Sequence, residues 1–89
     1  MPKYGPEFSD WLLELLKAYK IKQIKFSQMC GVDRSAVTHW KNCNRVPQRH
    51  TVPAIADALA QITGEHTDDV KAELLWQVQM SIENKETER

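Results

Sequence analysis

Ser35, Thr38, His39 and Asn42 recur at i, i+3, i+4 and i+7 within the stretch 26–42, FSQMCGVDRSAVTHWKN. On a helix that spacing gathers them on one side, at about 100° per residue. Ala36, Val37 and Trp40 then form an apolar stripe on the other side. A surface made only for solvent normally carries Glu and Lys. Ser, Thr, His and Asn are polar but nearly uncharged, and their short donors and acceptors suit the edges of nucleic-acid bases. Arg34 stands at the side of this arc, where its guanidinium can bond bidentately to guanine or meet a phosphate. Thr38 suits a thymine methyl or a phosphate. His39 can donate to a base or sit in solvent.

These side chains need a helix with a defined start. Asp33 precedes it at an N-cap position, where a carboxylate can accept free backbone N–H groups. Before it, Gly31 ends a shorter helical run over 23–30 and turns the chain sharply. Val32 is a small apolar plug between the two. Two short helices joined by a tight Gly turn, the second with a polar outer face, have the pattern of a helix-turn-helix.

The chain resembles the lambda-repressor and Cro type of helix-turn-helix domain. Phe26, Ser27, Gly31, Val32, Val37 and Trp40 match that family's pattern, with Pro47 seven residues after Trp40 and then Ile55, Ala56 and Leu59 at the family's spacing. The match covers about residues 12–59. Three positions depart from it. Cys43 replaces the usual Gly after the recognition helix, so Asn42 or Asn44 is expected to take the left-handed conformation there. Lys22 replaces a Ser or Thr cap, and Pro53 falls where the family has helix.

The resemblance implies an all-α, five-helix fold with the helix-turn-helix as helices 2 and 3. It implies sequence-specific binding of double-stranded DNA by a homodimeric transcriptional repressor of bacterial or phage type. The expected DNA-binding residues are Gln23, Gln28, Arg34, Ser35, Thr38, His39, Lys41, Asn42, Asn44 and Arg45. Gln23 and Gln28 are phosphate candidates, because the second helix approaches the DNA backbone in the family. The loop 43–50, with Arg45, Arg49 and Asn44, is placed to meet the sugar-phosphate backbone. Cytoplasmic localisation, at the nucleoid when bound to DNA, follows from such a role.

Charge agrees with that reading. The 89 residues carry 12 Lys/Arg and 12 Asp/Glu. Residues 1–50 hold nine bases and four acids, whereas 51–89 hold three bases and eight acids. Between Lys20 and Arg49 there are seven bases and one acid. A polyanion would be drawn to the first half, with the acidic half facing away.

The remaining elements read as support. The opening MPKYG is expected to be loose, with Pro6 in the first turn of helix 1. Phe8, Leu12, Leu15, Leu16 and Tyr19 form that helix's apolar face, with Trp11 at the core edge. Ile21 turns inward, and Phe26, Met29 and Cys30 face the core. Helix 4 starts with Thr51 as cap, keeps Pro53 in its first turn, and ends at Gly64. Val52, Ile55, Ala56 and Leu59 close the core. These parts make a core over about 6–64 of one domain spanning 1–89.

A last helix, about 67–84, begins with Thr67 as cap and Asp68 and Asp69 in the first turn. Val70, Leu74, Leu75, Val78 and Ile82 make one apolar face, and Trp76 with Met80 a second patch. Leu75, Trp76, Gln79 and Met80 are the expected dimer interface. The same patch could take another protein, as in a DNA-binding antitoxin that holds a toxin. A helical protein-interaction module without DNA binding is the alternative of another class. The tail NKETER is expected to fray.

Other classes find little footing. No Ser/His/Asp or Cys/His order, Gly-rich phosphate loop or paired carboxylates suggests an enzyme, and no cofactor is implied. Cys30, Cys43, His39, His50 and His66 include no Cys-x-x-Cys or His-x-x-x-His pair for a metal. Two mid-chain cysteines without a framework read as reduced thiols, one in the core and one near a loop. No run reaches the length of a membrane span, and MPKYGPEF lacks the apolar core of a signal peptide.

Overall fold

A computed structural model describes residues 3–85. Among the described residues there are five helices and no strand: α1 Glu7–Ala18, α2 Gln23–Cys30, α3 Arg34–Lys41, α4 Val52–Thr63 and α5 Thr67–Glu83. The fold is therefore all-α. α5 packs on α4 and α1, α2 packs on α3 and α4, and α1 also reaches α3. No helix is long and apolar enough to cross a membrane among the described residues.

The core follows the helical periodicities. Phe8, Leu12 and Leu16 from α1, Phe26 and Cys30 from α2, and Val37 and Trp40 from α3 are buried. Val52, Ile55, Ala56 and Leu59 join them from α4, and Val70, Leu74 and Val78 from α5. Phe8 is central to the aromatic packing. Its ring centre lies 6.2 Å from both Trp11 and Trp40, with the Trp40 ring edge-on to it, the geometry that ring quadrupoles favour. Trp11, Leu15, Met29 and Val32 are half-buried and pack against this core.

The structure corrects the sequence reading at several ends. Pro6 is the N-cap of α1, one residue before the helix starts. Tyr19 does not join the core. It is the C-cap residue, followed by Lys20 with a positive φ of 56°, and it is 46% exposed. Thr51 stands at the N-cap of α4 with Pro53 in the first turn, but its hydroxyl makes no cap bond. His66, not Thr67, caps α5, its Nδ1 accepting the Asp68 N–H at 3.3 Å. An imidazole lone pair there does what the Thr67 hydroxyl was expected to do.

Along α5 the buried line is Val70, Leu74, Val78 and Ser81. Leu75 and Ile82 leave it and are 45% and 44% exposed. At about 100° per residue they lie roughly 120–140° round the helix from Val70, whereas Ser81 lies about 20° from it. The opening segment is not loose where it is described: Tyr4 and Gly5 hydrogen-bond through their N–H groups to Cys43 and Ser81 carbonyls. Of the tail, Asn84 and Lys85 bond back to α5, Asn84 as its C-cap, and residues 86–89 lie outside the described part, as do 1 and 2.

Candidate nucleic-acid interface

Local sequence builds the α2–turn–α3 unit. Lys22 has no acceptor to offer and makes no cap bond, so α2 starts from an extended residue alone. Gly31 takes a left-handed conformation, φ 69°. There its N–H donates to the Gln28 carbonyl at 3.2 Å and the Val32 N–H to the Ser27 carbonyl at 3.0 Å. These bonds satisfy two of the last four carbonyls of α2 and reverse the chain. Val32 packs half-buried against the core. Asp33 has the extended backbone of an N-cap, but its carboxylate accepts no helix N–H, contrary to expectation. It remains an exposed acid beside the first turn of α3.

The polar face of α3 is shallow and open. Asp33, Arg34, Ser35, Thr38 and His39 line an open hollow of about 540 Å³. Gln23 is brought to it from the start of α2, its Nε2 donating to Thr38 Oγ1 at 3.2 Å. Thr38 Oγ1 in turn donates to the Arg34 carbonyl at 3.1 Å. The Thr38 hydroxyl is thus oriented before any ligand arrives, and Gln23 is a neighbour of the α3 face as well as a phosphate candidate. His39 is half-buried, with Nδ1 fully covered and without a hydrogen-bond partner.

The other expected residues surround this hollow without lining it. Gln28 is exposed nearer the far end of α2. Asn42 is the exposed C-cap of α3, one turn beyond Thr38. Lys41 is exposed one turn beyond Val37, on one flank. Arg45 lies on the opposite flank, lining a small hollow with Val32, Ala36 and Trp40. The Asn44 N–H donates to the His39 carbonyl at 2.9 Å, and that of Arg45 to the same oxygen at 3.4 Å, so the chain folds tightly back after α3.

Cys43 makes that turn possible. It adopts the left-handed conformation itself, φ 62°, and neither Asn42 nor Asn44 does. A non-Gly, non-Asn residue is strained there. Bonds on both sides hold it: its N–H donates to the Trp40 carbonyl at 3.2 Å and its carbonyl accepts the Tyr4 N–H at 2.9 Å. The other cysteine behaves differently. Cys30 is buried, and desolvation pushes its thiol from an ordinary 9.0 up to about 12. Burial disfavours the thiolate, so the group is a packing residue with little nucleophilic character.

Electrostatically the face is open. Among the described residues no Lys or Arg makes a salt bridge; the one close approach, His66 Nδ1 to the Asp68 carboxylate at 3.9 Å, is at the nitrogen that accepts the Asp68 N–H and lies remote in sequence from the α2–α3 unit. Arg49 departs from its loop neighbours. It lines a second hollow of about 540 Å³ with Pro47, Val52 and the α5 residues Leu75, Trp76 and Ile82. Trp76 is 60% exposed there. Gln79 also lines this hollow, while Met80, half-buried, does not, so three of the four expected interface residues come together. Sequence reasoning missed Arg49 and Ile82 at this second surface, because neither the loop path nor the drift of the α5 stripe shows in residue types. It also missed Ser9, whose hydroxyl donates to the Lys41 carbonyl at 2.7 Å.

Comparison of the chain with protein-family models, curated proteins and solved structures finds no match.

Proposed function

We propose that this protein is a sequence-specific double-stranded DNA-binding protein of lambda-repressor and Cro type, with α2 and α3 as its helix-turn-helix. The observation that carries the reading is the outward face of α3. Ser35, Thr38 and His39 share one open hollow with Arg34, Gln23 orients Thr38, and Asp33, just before the helix, is the one acid lining it. Such a helix enters the major groove with its first residues leading, so Arg34 and Ser35 meet bases first. Lys41 and Arg45, on the two flanks, meet phosphate on either side of the groove. Action as a homodimer through α5, repressing by occupying an operator, needs only the α3 face and a contact between two α5 helices.

A duplex pool of random sequence tests this directly. The protein is expected to bind it with an affinity that falls steeply with salt, and repeated selection should converge on one half-site. Binding that ignores salt, or a selection that never converges, would remove the proposal. The Trp76 hollow favours one second reading, a DNA-binding antitoxin holding its toxin there. Sedimentation separates the two: a chain that stays monomeric at high micromolar concentration without DNA reserves the hollow for another protein.

A further inference from the structure

Residues 4–9 fasten the end of α3 to the end of α5. The Tyr4 N–H donates to the Cys43 carbonyl and the next one, Gly5, to the Ser81 carbonyl, both at 2.9 Å. The Phe8 N–H donates to Ser81 Oγ at 2.8 Å, and Ser9 Oγ holds the Lys41 carbonyl at 2.7 Å. From the α5 side, Asn84 Nδ2 donates to Glu7 Oε2 at 3.2 Å, and Lys85 Nζ lies 4.7 Å from the Tyr4 ring centre.

Three features show that this junction is built closely. The carbonyls at the end of a helix lack helical partners, and here Ser9 supplies one to Lys41, the last residue of α3, while Tyr4 bonds the Cys43 carbonyl two residues beyond it. Ser9 and Ser81 are buried at positions where an apolar residue would serve packing alone. Gly5 is buried, and a Cβ on it would run into Glu7 Oε1 and stand 2.7 Å from Asn84 Cβ.

We propose that residues 4–9 are a positioning strap, which sets the end of α3 relative to α5 and thereby fixes the spacing of DNA half-sites a dimer accepts. This rests on the reading that α3 enters the groove and α5 pairs. Adjacent N–H groups, Tyr4 and Gly5, bond to opposite ends of the junction. A shift of α3 against α5 therefore strains both bonds at once. In a two-fold dimer that rigidity sets the separation of the two recognition helices, which must match one helical turn of DNA.

Ser9→Ala and Gly5→Val in the full chain test it, the first being the milder change. The first readout, native-state hydrogen exchange, needs no DNA. The amides of residues 42–45 should exchange about tenfold faster, as the loss of a bond at a buried group allows, while Leu59 and Leu74 keep parental rates. The second readout uses the selected half-sites joined by spacers of random length. The parent should recover a narrow range of spacers, and both variants a range one or two base pairs wider on each side, with the half-site sequence unchanged. Unaltered exchange at 42–45, acceleration shared by the whole core, or faster exchange with an unchanged spacer range would each overturn the strap. Faster local exchange in a protein that binds no DNA would keep the link between α3 and α5 and discard the DNA reading instead.

Discussion

At the scale of residues, side chains on and around α3 carry separable duties. Ser35 and Thr38 face the open hollow, and replacing either by Ala should cost about 1–3 kcal/mol for the selected operator where a base contact is lost. Arg45 lies on the flank, so Arg45→Ala should weaken all sequences alike and lower the salt slope by about one. Titrations of operator and unrelated DNA at several salt concentrations distinguish the two. A change of base preference in Arg45→Ala, with none in the Ser35 and Thr38 variants, would reverse the assignment. Trp40 belongs to the other face. It is 5% exposed and edge-on to Phe8, and Trp40→Ala should destabilise the fold by about 3–5 kcal/mol. That is a large share of the stability of so small a domain. Thermal melting checks it, and a variant that melts like the parent would contradict the packing role.

At the scale of elements, what was legible in the sequence was whatever depends on local chemistry. The bounds of α2, the start of α3, the left-handed Gly31 and Gly64, and the Pro53 position follow from turns and periodicity within a few residues, although Lys22, Asp33 and Thr51 make no side-chain cap bond. What was not legible depends on distant partners. Cys43 could not be identified as the left-handed residue, because the bond that steadies its carbonyl comes from Tyr4. The α5 stripe was misread by including Leu75 and Ile82, which a step of about 100° already sets roughly 120–140° from Val70; which faces of α5 its neighbours cover is what the sequence did not show. Ser81, polar and fully buried, was passed over for the same reason. At the α3 hollow, Ser35, Thr38 and His39 share one face as their spacing implies, whereas Gln23's bond to Thr38 needed the crossing of two helices. The exposed α5 residues give a prediction at this scale. Trp76→Glu should yield a folded monomer with much weaker operator binding, since a dimer's second half-site contacts are lost. Sedimentation of parent and variant, beside circular dichroism, decides it; an unchanged dimer would place the subunit contact elsewhere.

At the scale of the whole molecule, charge and chain ends act together. The basic stretch 20–49 holds the α2–α3 unit, and the acidic stretch 51–89 supplies α4 and α5. Association with DNA should therefore be fastest in one orientation and should slow as salt screens it. The contrast between the cysteines leads to a practical end. Cys30 is shielded and its thiol stays protonated to about 12, while Cys43, half-exposed, sits just past the last turn of α3. Because folding raises that titration point, the stability it supports is present below pH 9 and is lost as pH rises toward 12. Near neutral pH the folded chain should take one equivalent of a maleimide or methanethiosulfonate, at Cys43, and the unfolded chain two, as intact mass would show. Equal modification of both thiols in the folded chain would refute this. The wild-type sequence then needs no substitution to become a ruler: a nitroxide on each Cys43 of an assembled pair would report, by its dipolar coupling, how far apart the two copies hold the ends of α3.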